Sequence, residues 1–522
     1  MSQMLKSSGA MGAATLTSRV LGLVREQVYA AFMGTSAVAG AFQMAFMIPN
    51  LFRRLLGEGA LTAAFIPIFK AKEKTEGEAA MWRTANAVIS GLIASAAVVV
   101  AGTMLALTAV LAWADLADST RLMLQLLRVM FPYMLLVCLA AVLMGMLNAR
   151  GFFFIPALGA AMLNVAMISS VLVLAPRMGD RLETQIFGLA IGVLVAGMAQ
   201  TAFQVPTLWR QGYRYVWVSP WSDPTVREVV RRMLPASVGV AAFQINVMLT
   251  QGLAFGVHAP IVAAFNYAVR LMEFPQGIFG ISLATYLLPT LSGLAAEKDY
   301  ARFRATVGEG LGHLLFVNLL AAALLFSLAE PIVRLLFEWG RFDKGSTVEV
   351  SRALACLAPG LLAFSSVNIL ARAFFALGDT TTPMRISVFC LAINVAFTVV
   401  FLVGFSLGAA GLGVANTLSS AINLGLLGYA LRRKLGRLDF SELRQSLPIS
   451  IGAAVMAGCV AWAGARGWEA WMGHETLPSR LGEAFVPMSI ATVVYAGVSF
   501  WGRVPAAVSI ARLISGWFGP AR

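Results

Sequence analysis

Apolar residues in this chain neither alternate with polar ones nor keep to one helical face. They come in blocks of about 20 residues, the length that carries a helix across a bilayer core, separated by short polar or basic connections. Fourteen blocks can be marked, at approximately residues 9–33, 36–56, 84–111, 123–148, 153–176, 185–208, 232–256, 260–290, 305–329, 348–376, 384–404, 408–431, 446–465 and 484–503. The alternating segments of about 10 residues that build a transmembrane barrel are missing. The pattern predicts an all-α polytopic membrane protein with about 14 transmembrane helices. Its start, MSQMLKSSGAMGAATLTSRV, runs straight into a full-length block with no convincing small-residue cleavage site, so it reads as a first span and not as a leader.

The connections are too short for a soluble domain. The largest, from Phe69 to Arg83, reads as a solvated cytoplasmic segment. An internal repeat shows instead. NARGFFFIP (148–156) resembles FALGDTTTP (375–383), with Gly151 and Gly378, then Pro156 and Pro383, each 227 residues apart. Each copy leads to Asn-Val in the next block, at Asn164 and Asn394. AGAFQMAF (39–46) against VAAFNYAV (262–269), and FGLAIG (187–192) against AGLGVA (410–415), repeat at an offset of 223. The expected organisation is residues 1–215 with spans one to six, 216–440 with spans seven to twelve, and 441–522 with two extra spans and a tail. An even number of spans per copy makes the two copies parallel, and transporters place their substrate path at such a repeat interface.

Composition agrees: 59% of the 522 residues are hydrophobic and 12% charged, against about 45–50% and about 25% in soluble chains. Mean hydropathy is +0.79. The net charge of +14 raises the question of nucleic acid, and its placement answers it. On the 14-span plan 26 of the 39 Lys and Arg residues fall on the side of the N-terminus and 10 on the other. Basic connections stay cytoplasmic, so both termini are expected inside and the basic excess reports topology, not a nucleic-acid footprint. Cys138, Cys356, Cys390 and Cys459 stand singly in apolar runs and read as small packing residues.

Three arginines remain inside spans. Arg19 lies about 10 residues, or ~15 Å, into the first block, and Arg25 lies deeper. A charge at mid-bilayer costs at least ~2.5–3.5 kcal/mol and needs a wet interior or a partner. At about 100° per residue Arg19 and Glu26 share a face while Arg25 points elsewhere, so Glu26 offsets one arginine and not both. In YAVRLMEFPQG, Arg270 and Glu273 are spaced as i,i+3 neighbours. PNLFRRLLGEGALTAAFIP adds Arg53, Arg54 and Glu58, with Pro49, Gly57 and Gly59 permitting a break. Arg53 and Arg54 can equally snorkel to the headgroups. Surplus positive charge calls for an anion, and the planar guanidinium fork suits phosphate.

Signals for catalysis are few. His258, His313 and His474 are scattered near span ends, no acidic pair suited to Mg²⁺ on a diphosphate lies within a span, and no ATP-binding glycine loop occurs. The reading is a non-enzyme without cofactor or metal, driven by a coupling ion or the membrane potential. Asn164, Asn246, Asn318 and Asn394 either line a path or bond between helices.

SRVLGLVRE (18–26), PNLFRRLLGEGALTAAFIP (49–67), RLMEFPQGIFGISLATYLLPTLS (270–292) and the Thr-Pro of GDTTTPMRI together resemble the MurJ/MviN family. These are the lipid II flippases of bacterial peptidoglycan synthesis, within the multidrug/oligosaccharidyl-lipid/polysaccharide exporter superfamily. The resemblance implies two six-helix lobes around a central cavity with alternating access, in the bacterial cytoplasmic membrane. It implies that Arg19, Arg25, Arg53 and Arg270 engage the diphosphate and sugar head of lipid II, with Glu26, Glu273 and Glu58 as charge partners. It also implies a groove for the polyprenyl tail in the two extra spans. Two positions depart from the family: Gly40 stands where many members carry aspartate, and Val269 replaces the acidic residue before the second-lobe arginine. Both leave the site more positive and remove candidate ion carriers.

Three alternatives stay open. A polysaccharide-repeat exporter also carries a polyprenyl diphosphate, a drug exporter should show unpaired carboxylates, and a non-transporting cell-wall scaffold should tolerate neutralised arginines.

Overall fold

A computed structural model of the chain describes residues 2–54, 61–221, 223–436 and 441–509, and no strand occurs among them. The helices fall into two compact units, Met1–Ala263 and Ala264–Arg522. The first contains α1 (Ser2–Met33), α2 (Ala37–Phe52), α3 (Leu61–Glu76), α4 (Glu78–Trp113), α5 (Asp118–Met130), α6 (Tyr133–Ala149), α7 (Phe154–Ser169), α8 (Leu182–Arg210) and α9 (Pro224–Val257). From α10 (Pro260–Pro275) the chain enters the second, with α11 (Ser282–Ala296), α12 (Tyr300–Ser327), α13 (Ala329–Phe337), α14 (Lys344–Leu357) and α15 (Gly360–Ala376). It continues through α16 (Thr381–Val399), α17 (Gly408–Leu435), α18 (Ser441–Met472) and α19 (Leu477–Trp501).

Eight described helices are long and apolar enough to cross a membrane, and eleven spans result if each of three bent pairs counts as one. The three further blocks of the sequence reading fall on α1, α2 and α9; α2 is a shorter apolar helix of 16 residues. Helix starts carry their expected caps. Ser36 accepts the Ala39 N–H at 3.2 Å, Asp343 accepts that of Ser346 at 2.7 Å, and Thr476 and Ser479 form a reciprocal box at the head of α19.

The repeat seen in the sequence is repeated in the backbone. In the first unit α5 and α6 are bent by 43°, and in the second α14 and α15 by 44°. Each bend holds a proline, Pro132 or Pro359, which lacks the N–H that would continue the ladder. At the ends of α6 and α15 the Phe152 N–H donates to the Leu147 carbonyl and the Asp379 N–H to that of Phe374, both at 2.9 Å. Gly151 and Gly378 sit at the turn with φ of 84° and 73°, a region open to glycine and strained for other residues. After Pro275 the chain passes through a π-helical turn, Gln276–Ile281, and bends by 41° into α11, so the block expected to run continuously over 260–290 is broken.

The connection expected to be solvated is exposed or half-buried over residues 70–80, and it is carried on the adjoining ends of two helices, α3 and α4, that pack at their apolar parts. Phe65, Phe69 and Met81 are fully buried in a core with Met146, Leu147 and Leu208. Arg150 at the α6 terminus ties α3 and α4 to this core through Glu73, at 2.5 Å, and Glu78, at 3.0 Å. The hydrogen bond from Lys70, joined by Arg150, holds the Glu73 carboxyl below its usual range.

In the second unit, one core gathers α11, α12, α15 and α17 around Leu291, Phe303, Phe374 and Leu431. Another packs the alanine-rich face of α18 (Ala453, Ala457, Ala461) against α12 and α19. The Tyr495 hydroxyl donates to the Phe316 carbonyl at 2.7 Å across that contact.

Candidate functional site

Arg25 of α1 is held by α7. Arg25 Nη1 donates to Asn164 Oδ1 at 3.0 Å, and Asn164 Nδ2 donates to the Ser18 carbonyl at 3.1 Å. Arg25 Nη2 pairs with Glu26 Oε1 at 2.5 Å, and the guanidinium lies over the Tyr29 ring at 5.5 Å from its centroid. The side chains of Arg25 and Glu26 are only 15% and 11% exposed. Asn164 therefore bonds between helices and at the same time orients a cation.

Helical geometry placed Glu26 on the face of Arg19. The observed partner is Arg25, because Asn164 and Tyr29 draw its long side chain round until one nitrogen meets the adjacent carboxylate. Arg19 stays exposed, with no hydrogen bond or ion pair among the described residues. A buried pair and an exposed cation thus share one helix, leaving one net positive charge on that stretch.

Arg53 and Arg54 follow α2. Arg53 Nε donates to Asn50 Oδ1 at 2.8 Å, and Arg54 reaches Gln244 of α9 at 3.4 Å. Both are partly buried. Glu58, Gly57 and Gly59 lie outside the described residues. In the second unit Arg270 pairs with Glu273 at 2.8 Å, as the i,i+3 spacing predicts, and both side chains are about half exposed (45% and 46%). Their helix is anchored by Tyr267, fully buried against the rings of Phe337 and Phe342.

Gly40 gains a structural reason. A Cβ placed there would lie 2.0 Å from the Ala259 carbonyl oxygen, so the backbone of α2 closes on the turn before α10 only because glycine stands at this position. A longer side chain such as aspartate has no room here.

Sequence reasoning missed a charged hub in the second unit. Arg334 of α13, only 5% exposed, pairs with Glu483 of α19 at 2.5 Å and with Glu330 at 2.7 Å. Glu469 of α18 stands 3.8 Å away and Glu338 3.9 Å, and Arg480 bonds Glu338 in turn at 3.2 Å. The available signal was Glu483, an acid at the edge of an apolar block. Among the described residues no cluster of His, Cys, Asp or Glu is arranged to hold a metal ion.

A family model described as "Lipid II flippase MurJ" matches residues 29–481. A probable lipid II flippase MurJ of Rhizobium tropici is 32% identical over 499 residues, covering 94% of this chain and 92% of that protein. The lipid II flippase MurJ of Burkholderia cenocepacia is 32% identical over 458 residues, covering 86% and 88%. Among solved structures, a lipid II flippase MurJ in an inward closed conformation shares the fold with a TM-score of 0.74 at 20% identity, covering 94% of this chain and 97% of that one. An inward-facing multidrug transporter of the MATE family and MOP superfamily follows at 0.66 and 15% identity, covering 82% and 98%. A match across most of the chain, carried by relatives above 30% identity, places this polytopic helical protein in the lipid II flippase MurJ family.

Proposed function

We infer that this chain is a lipid II flippase that moves the polyprenyl-diphosphate-linked peptidoglycan precursor from the inner to the outer leaflet of the bacterial cytoplasmic membrane by alternating access. Family membership supports the cargo. The observation that carries the chemistry is Arg25, a cation buried on a membrane helix and oriented by a carboxylate, an amide and a ring. So costly a placement needs a use, and a diphosphate supplies one.

In this reading Arg19, Arg25, Arg53 and Arg270 contact the head group. Glu26, Glu273 and Glu58 balance them while no substrate is bound. Arg19 makes first contact because it is exposed and uncommitted. Arg25 follows by exchanging Glu26 for phosphate oxygens, which match the fork of its guanidinium. No covalent step is involved. The cytoplasmic placement of both termini rests on the basic excess of the connections. Residues 1–215 and 216–440 are assigned as the two moving lobes and 441–522 as the support of the lipid tail.

Transport runs on the membrane potential. An anionic head group moving outward from a negative interior gains ~2.3 kcal/mol per charge for each 100 mV. Bacteria depleted of their own lipid II flippase provide the experiment. Expression of this chain should restore growth and wall synthesis, and dissipating the potential should stop both. A well-expressed protein that fails to rescue would move the assignment to another polyprenyl-linked cargo.

A further inference from the structure

The second unit contains a cavity of about 950 Å³, walled in part by α18, at the upper end of the ~300–1,000 Å³ usual for small-molecule sites. It lies among α12, α14 and α18, towards the ends of α12 and α18 remote from the basic residues Arg302, Arg304 and Arg444. Its shaft is apolar, walled by Leu319, Phe326, Ala454, Val455 and Trp462.

The mouth has a different character. Arg352 of α14 lines it, exposed and without an ion pair among the described residues. Beside it Ser351 is only 8% exposed, and its hydroxyl has no hydrogen-bond partner. Glu330 of α13 also lines the mouth, with its side chain 38% exposed and only Oε1 engaged, by Arg334. Glu483 lines the same cavity, 1% exposed, with Oε2 unpartnered. The cavity is thus lined by a cation with an idle hydroxyl and by a half-engaged carboxylate, while its other charges, Arg466 and Glu469, pair with each other at 3.2 Å.

We propose that this cavity is a binding site for a zwitterionic phospholipid of the outer leaflet, its phosphate on Arg352 and Ser351, its primary ammonium on Glu330 and an acyl chain in the shaft. The pairing of charges decides the class. A free fatty acid or an anionic lipid leaves Glu330 Oε2 unengaged and pays for the carboxylate's negative field. A polyprenyl chain needs neither charge. An unselected boundary lipid would be indifferent to both side chains. The leaflet follows from the orientation adopted above; the site itself does not depend on what the protein transports.

A reporter is already in place. Cys459 lines the shaft and is exposed, whereas Cys138 and Cys390 are buried and Cys356 is partly so. The full-length protein, purified in detergent and stripped of lipid, is incubated with dioleoyl-phosphatidylethanolamine, dioleoyl-phosphatidylglycerol or undecaprenyl phosphate. Alkylation of Cys459 by N-ethylmaleimide is then followed by peptide mapping, with native mass spectrometry counting retained lipids. The expected result is one retained phosphatidylethanolamine and at least fivefold slower alkylation with that lipid alone. Arg352→Gln and Glu330→Gln should each abolish the selectivity, and Val455→Trp, which fills the exposed wall of the shaft, should abolish retention with the melting temperature unchanged. Equal protection by phosphatidylglycerol, preference for undecaprenyl phosphate, or undiminished retention in Val455→Trp would overturn the proposal. Preference for undecaprenyl phosphate would give the cavity to the polyprenyl tail instead; none of the other outcomes bears on lipid II transport.

Discussion

Arg25 on α1 and Asn164 on α7 are joined by a 3.0 Å hydrogen bond, and the same amide holds the Ser18 carbonyl. One side chain thus fixes both the path of α1 and the direction of its buried cation. Replacing Asn164 with leucine removes both bonds at once. Hydrogen bonds to charged groups contribute about 1.5–3 kcal/mol each, so Asn164→Leu should lower the melting temperature in detergent and reduce transport about tenfold or more. Asn164→Asp keeps the acceptor and adds a charge against the Ser18 carbonyl, so it should retain more activity than leucine. Equal activity of both variants with the wild type would remove Asn164 from the site.

Gly40 supplies a prediction opposite in sense to an appeal to missing charge. An acid at this position, Gly40→Asp, drives a side chain into the Ala259 carbonyl, where even Cβ would stand at 2.0 Å. Overpacking of this kind costs about 1–3 kcal/mol, and a desolvated carboxylate adds to it. Gly40→Asp and Gly40→Ala should both show reduced folded yield and a lower melting temperature, the aspartate more so. A fully stable Gly40→Asp protein would contradict the close approach.

The Arg334–Glu483 pair, with side chains 7% and 2% exposed, should behave as a buried ion pair. Removing one partner leaves an uncompensated charge at a cost of about 3–5 kcal/mol, whereas replacing both with apolar residues of similar size is often nearly neutral. Glu483→Leu should therefore be strongly destabilising and Arg334→Met with Glu483→Leu much less so, as read by thermal melting. Additive losses in the double variant would mean that the hub acts through its other carboxylates.

Much of this was legible in the sequence, for identifiable reasons. Span-length apolar blocks need only composition, and the Gly151 and Gly378 repeat is visible because a turn with positive φ favours glycine. Arg270 and Glu273 paired as predicted because their spacing is a local property of one helix. What could not be read depends on neighbours. Asn164 chose Arg25 over Arg19 for Glu26, and Ala259 explains Gly40, through contacts across more than a hundred residues of chain. The solvated reading of residues 70–80 holds, because their lysines and glutamates face outward; it did not show that helices carry the segment or that Phe69 and Met81 at its ends enter a core.

Asp379 provides a pH test outside the membrane spans. A hydrogen bond from Lys434 at 2.6 Å, with the backbone N–H and hydroxyl of Thr382, lowers its carboxyl to about 2. A carboxylate whose folded value is depressed contributes stability that is fully present above its unfolded value, ~3.9, and is lost as pH falls towards 2. Between about pH 4 and 2 the wild type should lose part of its stability, and Asp379→Asn should be weaker at pH 7 with a flatter acid profile. Parallel profiles for the two proteins would show that Asp379 contributes nothing through its charge.

The central claim is that arginines on α1 and α10 grip a diphosphate in transit. Its most direct measurement is lipid II on the outer leaflet of flippase-depleted bacteria, scored by cleavage with an externally added lipid II-degrading enzyme. Wild-type protein should restore cleavage, and Arg25→Ala and Arg270→Ala at equal expression should reduce it at least tenfold. Arg25→Lys should recover only part, because an ammonium keeps the charge without the fork that meets both Asn164 and Glu26. Full cleavage in both alanine variants would contradict the claim, leaving the family assignment intact and the binding site elsewhere.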